Sequence, residues 1–322
     1  MSAESTAGEP TYRGRDRPSR SDRPSRSDRP SQYETVLAVA RADVENVARS
    51  RMLLAMVGLL VGFAAILYGA FGLVADDGTA VETLAWLGLP MQTILAVAAL
   101  VVGYMAIVGE RRSGSIKLLL GLPPTRRAVV AGKTLGRSAI VVTAVAVAFL
   151  VAAALSLALF GTLPVRSWLV LGVATTLFGL AFVGLAVGVS AAVSTRGRAM
   201  AIVVGLFAVF VALWELVVAG PYYLRYGETP PAEAESWYLA VDGLNPIAAY
   251  ASIANEAVAG DVWPLQFGYG LREPESLTMT AAERYPGEAP FYLQEWFGAV
   301  VLLAWAVVPV AIGLYHFQRT DL

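Results

Sequence analysis

Cysteine is missing from this chain of 322 residues. Its absence excludes disulfides, zinc–thiolate sites, cysteine nucleophiles and cysteine-ligated iron–sulfur clusters, though it leaves the compartment open. Histidine is reduced to His316, which lies just past the last apolar run, where an interface position needs no chemistry to explain it. Charge is scarce: 15% of residues, against about 25% in an ordinary soluble domain. The first 50 residues are polar and charged, so no cleavable signal peptide is expected. No apolar run carries paired carboxylates or a row of charges, and the seven methionines are scattered, so neither an enzyme site, an ion channel nor a metal route is expected.

What is abundant is apolar sequence, 57% of the chain with a mean hydropathy of +0.60. It falls in long runs, several of which reach the roughly 20 residues that cross a bilayer. Six spans are predicted, at about 52–74, 84–108, 139–160, 168–189, 199–218 and 297–314, with Pro90 bending or delaying the start of the second. With both termini placed in the cytoplasm, the inner segments hold twenty of the 24 Lys and Arg residues. Only Arg166, Arg225, Arg272 and Arg284 fall outside. That asymmetry over short loops sets the orientation.

Residues 1–31 contain the repeat RPSRSD and no packable core, so they read as a disordered tail. Acidic residues dilute its charge and no aromatic interleaves it, so no nucleic-acid partner is expected. A hold on anionic membrane lipids fits better. Downstream, Val36, Val39, Ala40, Val44 and Val47 recur at helical spacing, with Glu34, Asp43, Glu45 and Arg49 filling much of the remainder. This predicts an amphipathic helix in the inner interface before the first span. The expected fold is an all-α polytopic membrane protein in which residues 32–322 form one transmembrane domain. The segment 219–296 is its largest outer part, with eleven Asp or Glu and three Arg. Within it, LNPIAAY predicts a short helix on the outer surface, with Asn245 as cap and Pro246 in the first turn.

The loop 109–138 reads GERRSGSIKLLLGLPPTRRAVVAGKTLGRS. Its GKT, Gly132-Lys133-Thr134, imitates the tail of a phosphate loop, but position 127 is Arg127 where the leading glycine is needed, and no strand precedes it. Nucleotide binding by this chain is therefore not expected, and Lys133 reads as a helix residue facing headgroups or a partner. Gly114 breaks a helix, Ile116 to Leu122 form a short apolar run, Pro123 and Pro124 end it, and Thr125 caps a new helix into the third span. Helix, break, helix fits a rigid element that transmits force from a soluble partner. It equally fits a basic loop held by lipid headgroups.

This loop closely resembles the corresponding segment of ABC-2 family permeases. Glu110, Arg111, Gly114, Ser115, Leu119, Leu122, Pro123, Thr125, Arg126, Gly132 and Lys133 carry the match. The six spans, the helix before them, LNPIAAY and the FQRTDL tail are similar to that family too. The resemblance implies a permease subunit, with no cofactor of its own. ATP and Mg would be bound by a separate ATP-binding cassette ATPase, and a second permease copy would complete a homodimer. It makes Gly114–Pro124 the coupling helix, with Glu110, Arg111, Gly114, Ser115, Leu119, Leu122, Pro123, Arg126 and Arg127 as ATPase-coupling residues. ATP turnover would drive export. Family relatives of this kind serve drug export, polymer export and maturation of a copper enzyme, and no residue here chooses among them. The acid-rich outer segment fits a salt-loving archaeal source, against which stands the basic inner side.

For the cargo path, the interface between two copies is the expected place. Gly184 and Gly188 form a small-xxx-small pair in the fourth span, and Gly172 and Gly179 thin it further. Contact within one subunit and contact between two both fit. Thr175 and Thr176 fit either a path or bonds back to their own helix. Glu215, the one acid inside a predicted span, is a functional candidate by rule, and its position near the outer end equally fits a side chain reaching the interface. Two other readings stay open: a non-transporting membrane anchor or assembly subunit, and an ATP-independent secondary transporter, for which the internal repeats common in that class are not evident.

Overall fold

The structure, a computed structural model, describes residues 31–48, 51–73, 78–109, 125–258, 262, 264–267, 276 and 279–319. Its main elements are all helical: α1 (Gln32–Ala48), α2 (Arg51–Leu73), α3 (Ala80–Gly103), α4 (Arg126–Phe160), α5 (Val165–Ala192), α6 (Arg196–Ala208), α7 (Trp214–Tyr226), α8 (Ser236–Gly243), α9 (Pro246–Val258) and α10 (Phe297–Arg319). A π-helical stretch, Val209–Leu213, joins α6 to α7 into one long rod. Among the described residues six helices are long and apolar enough to span a bilayer: α2, α3, α4, α5, the α6–α7 rod and α10.

The helix ends follow local chemistry. α3 starts earlier than expected because the Thr79 hydroxyl accepts from the Glu82 N–H (3.2 Å), and Pro90 lies within the helix instead of delaying it. α4 starts at the Thr125 cap, whose hydroxyl accepts from the Ala128 N–H (3.2 Å), and ends at Gly161, whose φ of +69° is open to glycine without steric cost. Its 35 residues extend about 52 Å, well beyond the roughly 30 Å hydrocarbon core. The end carrying Arg126 to Arg137 therefore projects past the apolar layer.

The core centres on α5. It is apolar all round, as a helix enclosed by others must be, and packs on α3, α4, α9 and α10. Water-driven burial does not hold helices together in lipid, so close backbone approach and hydrogen bonds take over. α5 supplies the approach. A Cβ on Gly179 would stand 2.6 Å from Val141 Cγ1 of α4, and one on Gly184 or Gly188 would stand 2.2 or 2.3 Å from the carbonyls of Ala306 or Pro309 on α10. The two open readings of the glycine pair resolve here into a contact within one subunit. Phe178, Phe182 and Tyr250 fill the centre, with Phe178 ring centroids 4.9 Å from both partners.

The described residues of the long segment before α10 form a packed unit. Tyr238, Leu239, Ala234 and Leu293 pack with Val218 and Tyr222 of α7 into a second core. Arg284, buried there, donates to the carbonyls of Ala232 (3.0 Å) and Pro231 (3.1 Å) and lies 5.5 Å over the Tyr238 ring. α9 begins as the LNPIAAY pattern predicts: Asn245 Oδ1 accepts from the Ile247 N–H at 2.8 Å. It does not lie on a surface, however. Ile247, Tyr250, Ala251 and Ala254 are buried against the bundle, because small side chains let the helix sink between α3, α5 and α10. Asn245 Nδ2 also donates to the Phe210 carbonyl (2.8 Å), satisfying an acceptor loosened by the π-helical stretch.

Candidate functional site

The GKT segment finds its explanation where α1 crosses α4. Gly132 and Gly136 stand one turn apart on α4 and form a flat strip. A Cβ at Gly132 would lie 2.6 Å from Val39 Cβ, and one at Gly136 would lie 2.9 Å from Asp43 Cβ. The following residues, Lys133 and Arg137, are also one turn apart, and both reach Asp43. Lys133 Nζ donates to Asp43 Oδ1 at 2.7 Å; Arg137 Nη2 donates to the same oxygen at 3.1 Å. Arg137 Nε lies 2.8 Å from Asp43 Oδ2, close enough for ion pairing but poorly aligned for a hydrogen bond. Arg137 Nη1 donates to the Val102 carbonyl (3.0 Å), at the negative end of the α3 dipole. Two cations thus share one carboxylate and one helix end.

Two expectations are corrected here. Lys133 does not face headgroups: it is buried, and its charge is used inside the chain. Asp43 does not stand with Glu34 and Glu45 on the remainder of α1: it is buried. Val36, Val39, Ala40 and Asp43 follow i, i+3, i+4, i+7, so the acid stands within the apolar stripe, a signal the periodicity contained.

The expected coupling residues Glu110, Arg111, Gly114, Ser115, Leu119, Leu122 and Pro123 lie outside the described residues. Both flanks of their loop are described, and both are anchored. Upstream, the buried Ser190 hydroxyl of α5 accepts the N–H groups of Ile107 (3.0 Å) and Val108 (3.1 Å). Downstream, Arg126 donates to the carbonyls of Phe317 (2.6 Å) and Gln318 (3.1 Å) and stacks 5.5 Å over the Phe317 ring. A cation there meets the acceptors and the negative dipole at the end of α10. Arg127, the next residue, is exposed. The described flanks of the loop are therefore held, one to α5 and the other to α10, two helices in close backbone contact.

The expected path residues are not brought together. Thr175 is buried, and its hydroxyl lies 3.2 Å from the Tyr250 hydroxyl. Either hydroxyl can be the donor in this contact. Thr176 bonds back to the Gly172 carbonyl at 2.8 Å. Glu215 is buried, and the Tyr238 hydroxyl donates to its Oε1 at 3.3 Å, which places it at the edge of the second core. Among the described residues no group of three or more His, Cys, Asp or Glu is placed to hold a metal ion.

Six apolar helices, one of them the central small-residue helix α5, define a polytopic all-α membrane protein, with no catalytic constellation in the described residues. The family model for the ABC-2 family transporter protein matches residues 37–322, and the chain belongs to that family. A "Probable ABC transporter permease protein NosY" of Stutzerimonas stutzeri is 29% identical over 280 residues, covering 84% of this chain and 96% of that protein. A protein of the same description from Pseudomonas aeruginosa is 32% identical over 245 residues, covering 71% of this chain and 86% of its own length. The chain is thus a transport permease at the level of its family, and membership implies an ABC ATPase partner and a membrane setting.

Proposed function

We propose that this chain is the membrane subunit of an ABC exporter. ATP, with Mg, is bound and hydrolysed by a separate ATPase, and two permease copies pair with two ATPases. Both termini lie in the cytoplasm, as the basic residues of the inner segments require, and α1 lies in the inner interface. The contact with the ATPase is made by Glu110, Arg111, Gly114, Ser115, Leu119, Leu122 and Pro123 of the segment 110–124 and by Arg127 beyond it, while Arg126 anchors the downstream flank to α10.

One observation carries the reading: the flanks of that loop are hydrogen-bonded to α5 through Ser190 and to α10 through Arg126. A displacement of the loop is passed to two spans directly, not through a slack tether. The coupling is reciprocal in binding free energy, so a permease state favoured by nucleotide on the ATPase raises nucleotide affinity in return. A cargo path through Thr175 or Glu215 requires the Tyr250 and Tyr238 contacts to open.

The test is purification of the full chain from its native membrane in mild detergent, followed by measurement of ATP turnover in the complex. An ATPase should accompany the chain, and Arg127→Glu should release it while the permease stays monodisperse. Absence of any ATPase under conditions that preserve membrane complexes would overturn the reading.

A further inference from the structure

A lateral groove of about 550 Å³ runs between α5, α6 and α10. Leu185, Val189, Leu206, Ala304, Val308 and Ile312 line its walls. Along α10 it runs from Phe297 to Gly313, and Ala192 of α5 lines it as well. The lining is apolar, and the one indole N–H nearby, that of Trp305, is taken by the Leu244 carbonyl at 2.9 Å. A water there would lack the two to four polar partners that hold buried water. All three helices belong to spans, so the groove opens onto hydrocarbon.

One end of it is basic. Ala192 closes α5, and one turn of chain later Arg196 and Arg198 open α6, both exposed. Gly313 stands one to two turns before His316 and Arg319, also exposed, at the end of α10. α5 and α10 run in the same direction, as the pairing of Gly184 with Ala306 and Gly188 with Pro309 requires. The basic residues therefore gather at one end of the groove. No lining residue is itself basic, so these charges form a rim beyond the apolar slot.

We propose that this groove is a binding site for an anionic phospholipid, with an acyl chain along α10 and the phosphate at Arg196 and Arg198. The amphiphile matches both halves: an apolar slot of membrane depth and a basic rim at headgroup level. A second copy matches poorly. A two-fold contact through this face meets itself, so it would set Arg196, Arg198 and Arg319 against their own images. The proposal needs only that the spans lie in a bilayer, and it stands apart from the coupling reading.

The chain's lack of cysteine makes the test clean. Full-length protein is taken from vesicles of phosphatidylglycerol mixed with phosphatidylcholine of the same chains, and retained lipid is read by native mass spectrometry. Wild type should retain phosphatidylglycerol selectively. Arg196→Gln and Arg198→Gln should each lower that preference about fivefold, the fold-change expected of one basic residue at an anionic surface. Ala304→Trp, which fills the slot, should lower retention of both lipids. As a second readout, Ala304→Cys should react with a bilayer-soluble maleimide more slowly in phosphatidylglycerol than in phosphatidylcholine vesicles. Equal retention by wild type and all three variants, with equal labelling in both lipids, overturns the proposal. So does efficient disulfide linkage of two Ala304→Cys chains, which would make the groove a contact between copies.

Discussion

Lys133 Nζ and Asp43 Oδ1 lie 2.7 Å apart, with the two side chains only 7% and 1% exposed. This buried ion pair ties the helix before the first span to the helix after the basic loop. Removing one partner of a buried pair leaves the other charge stranded, which costs about 3–5 kcal/mol. Asp43→Ala removes the carboxylate that two cations share, so it should be the most damaging substitution at the site. Lys133→Met should cost less, because Arg137 still neutralises the carboxylate. Thermal unfolding in detergent should rank the two in that order. Nucleotide binding by the isolated chain should be absent before and after either change. A Lys133→Met protein that keeps wild-type stability but loses bound ATP would refute the structural role.

Gly188 makes a sharp demand on packing. The Pro309 carbonyl occupies the place of its Cβ, 2.3 Å away, and backbone does not step aside cheaply. Gly188→Ala should therefore push α5 and α10 apart and cost about 1–3 kcal/mol, the usual range for overpacking. Gly58 and Gly62 on α2 meet nothing within 4 Å, so alanine there should be neutral or slightly stabilising. Unfolding midpoints of the three single variants, measured in one detergent, check the contrast. Equal effects would mean that α5 and α10 are not in backbone contact.

The spans were readable because hydropathy reports directly on lipid burial, and the Thr125 and Asn245 caps were readable because capping is local chemistry. Depth within the bundle was not. LNPIAAY announces a helix start, but nothing local says that Tyr250 will meet Thr175 across the core. Gly184 and Gly188 announce close contact without naming the partner, since α10 lies over a hundred residues away in sequence. Asp43 was misread because the count of polar residues on α1 outweighed their phase. Ser190 carried no signal at all: a lone serine in a small-residue helix declares its role only when Ile107 and Val108 turn toward it.

Arg126 and Arg127 should separate, though they are adjacent. Arg126 holds the last carbonyls of α10, and hydrogen bonds to a charged group contribute about 1.5–3 kcal/mol when buried. Arg126 is only partly buried, so Arg126→Gln should cost about 1 kcal/mol after screening. Its local sign should be faster amide exchange in the last turn of α10. Arg127→Gln should leave both stability and exchange unchanged. A swap of both charges at once would mix loss of the α10 anchor with any loss of partner binding, so the single variants are the informative ones. Faster exchange at α10 in Arg127→Gln would contradict the assignment.

Glu215 and Tyr238 make the corresponding test at the second core. The tyrosine hydroxyl donates to Oε1 at 3.3 Å, and both residues are buried. Tyr238→Phe keeps the ring that packs on Tyr222 and under Arg284, and removes only the donor. Removing one donor from a buried acceptor costs about 1 kcal/mol. The loss should be local: limited proteolysis between Gly227 and Pro290 should quicken, while the bundle built on α5 keeps its unfolding midpoint. Glu215→Gln retains an acceptor oxygen for Tyr238 and should be milder than Glu215→Leu, which retains none. If Tyr238→Phe instead left proteolysis unchanged and lowered transport in reconstituted vesicles, the hydroxyl would be serving the cargo path and not the packing of this core.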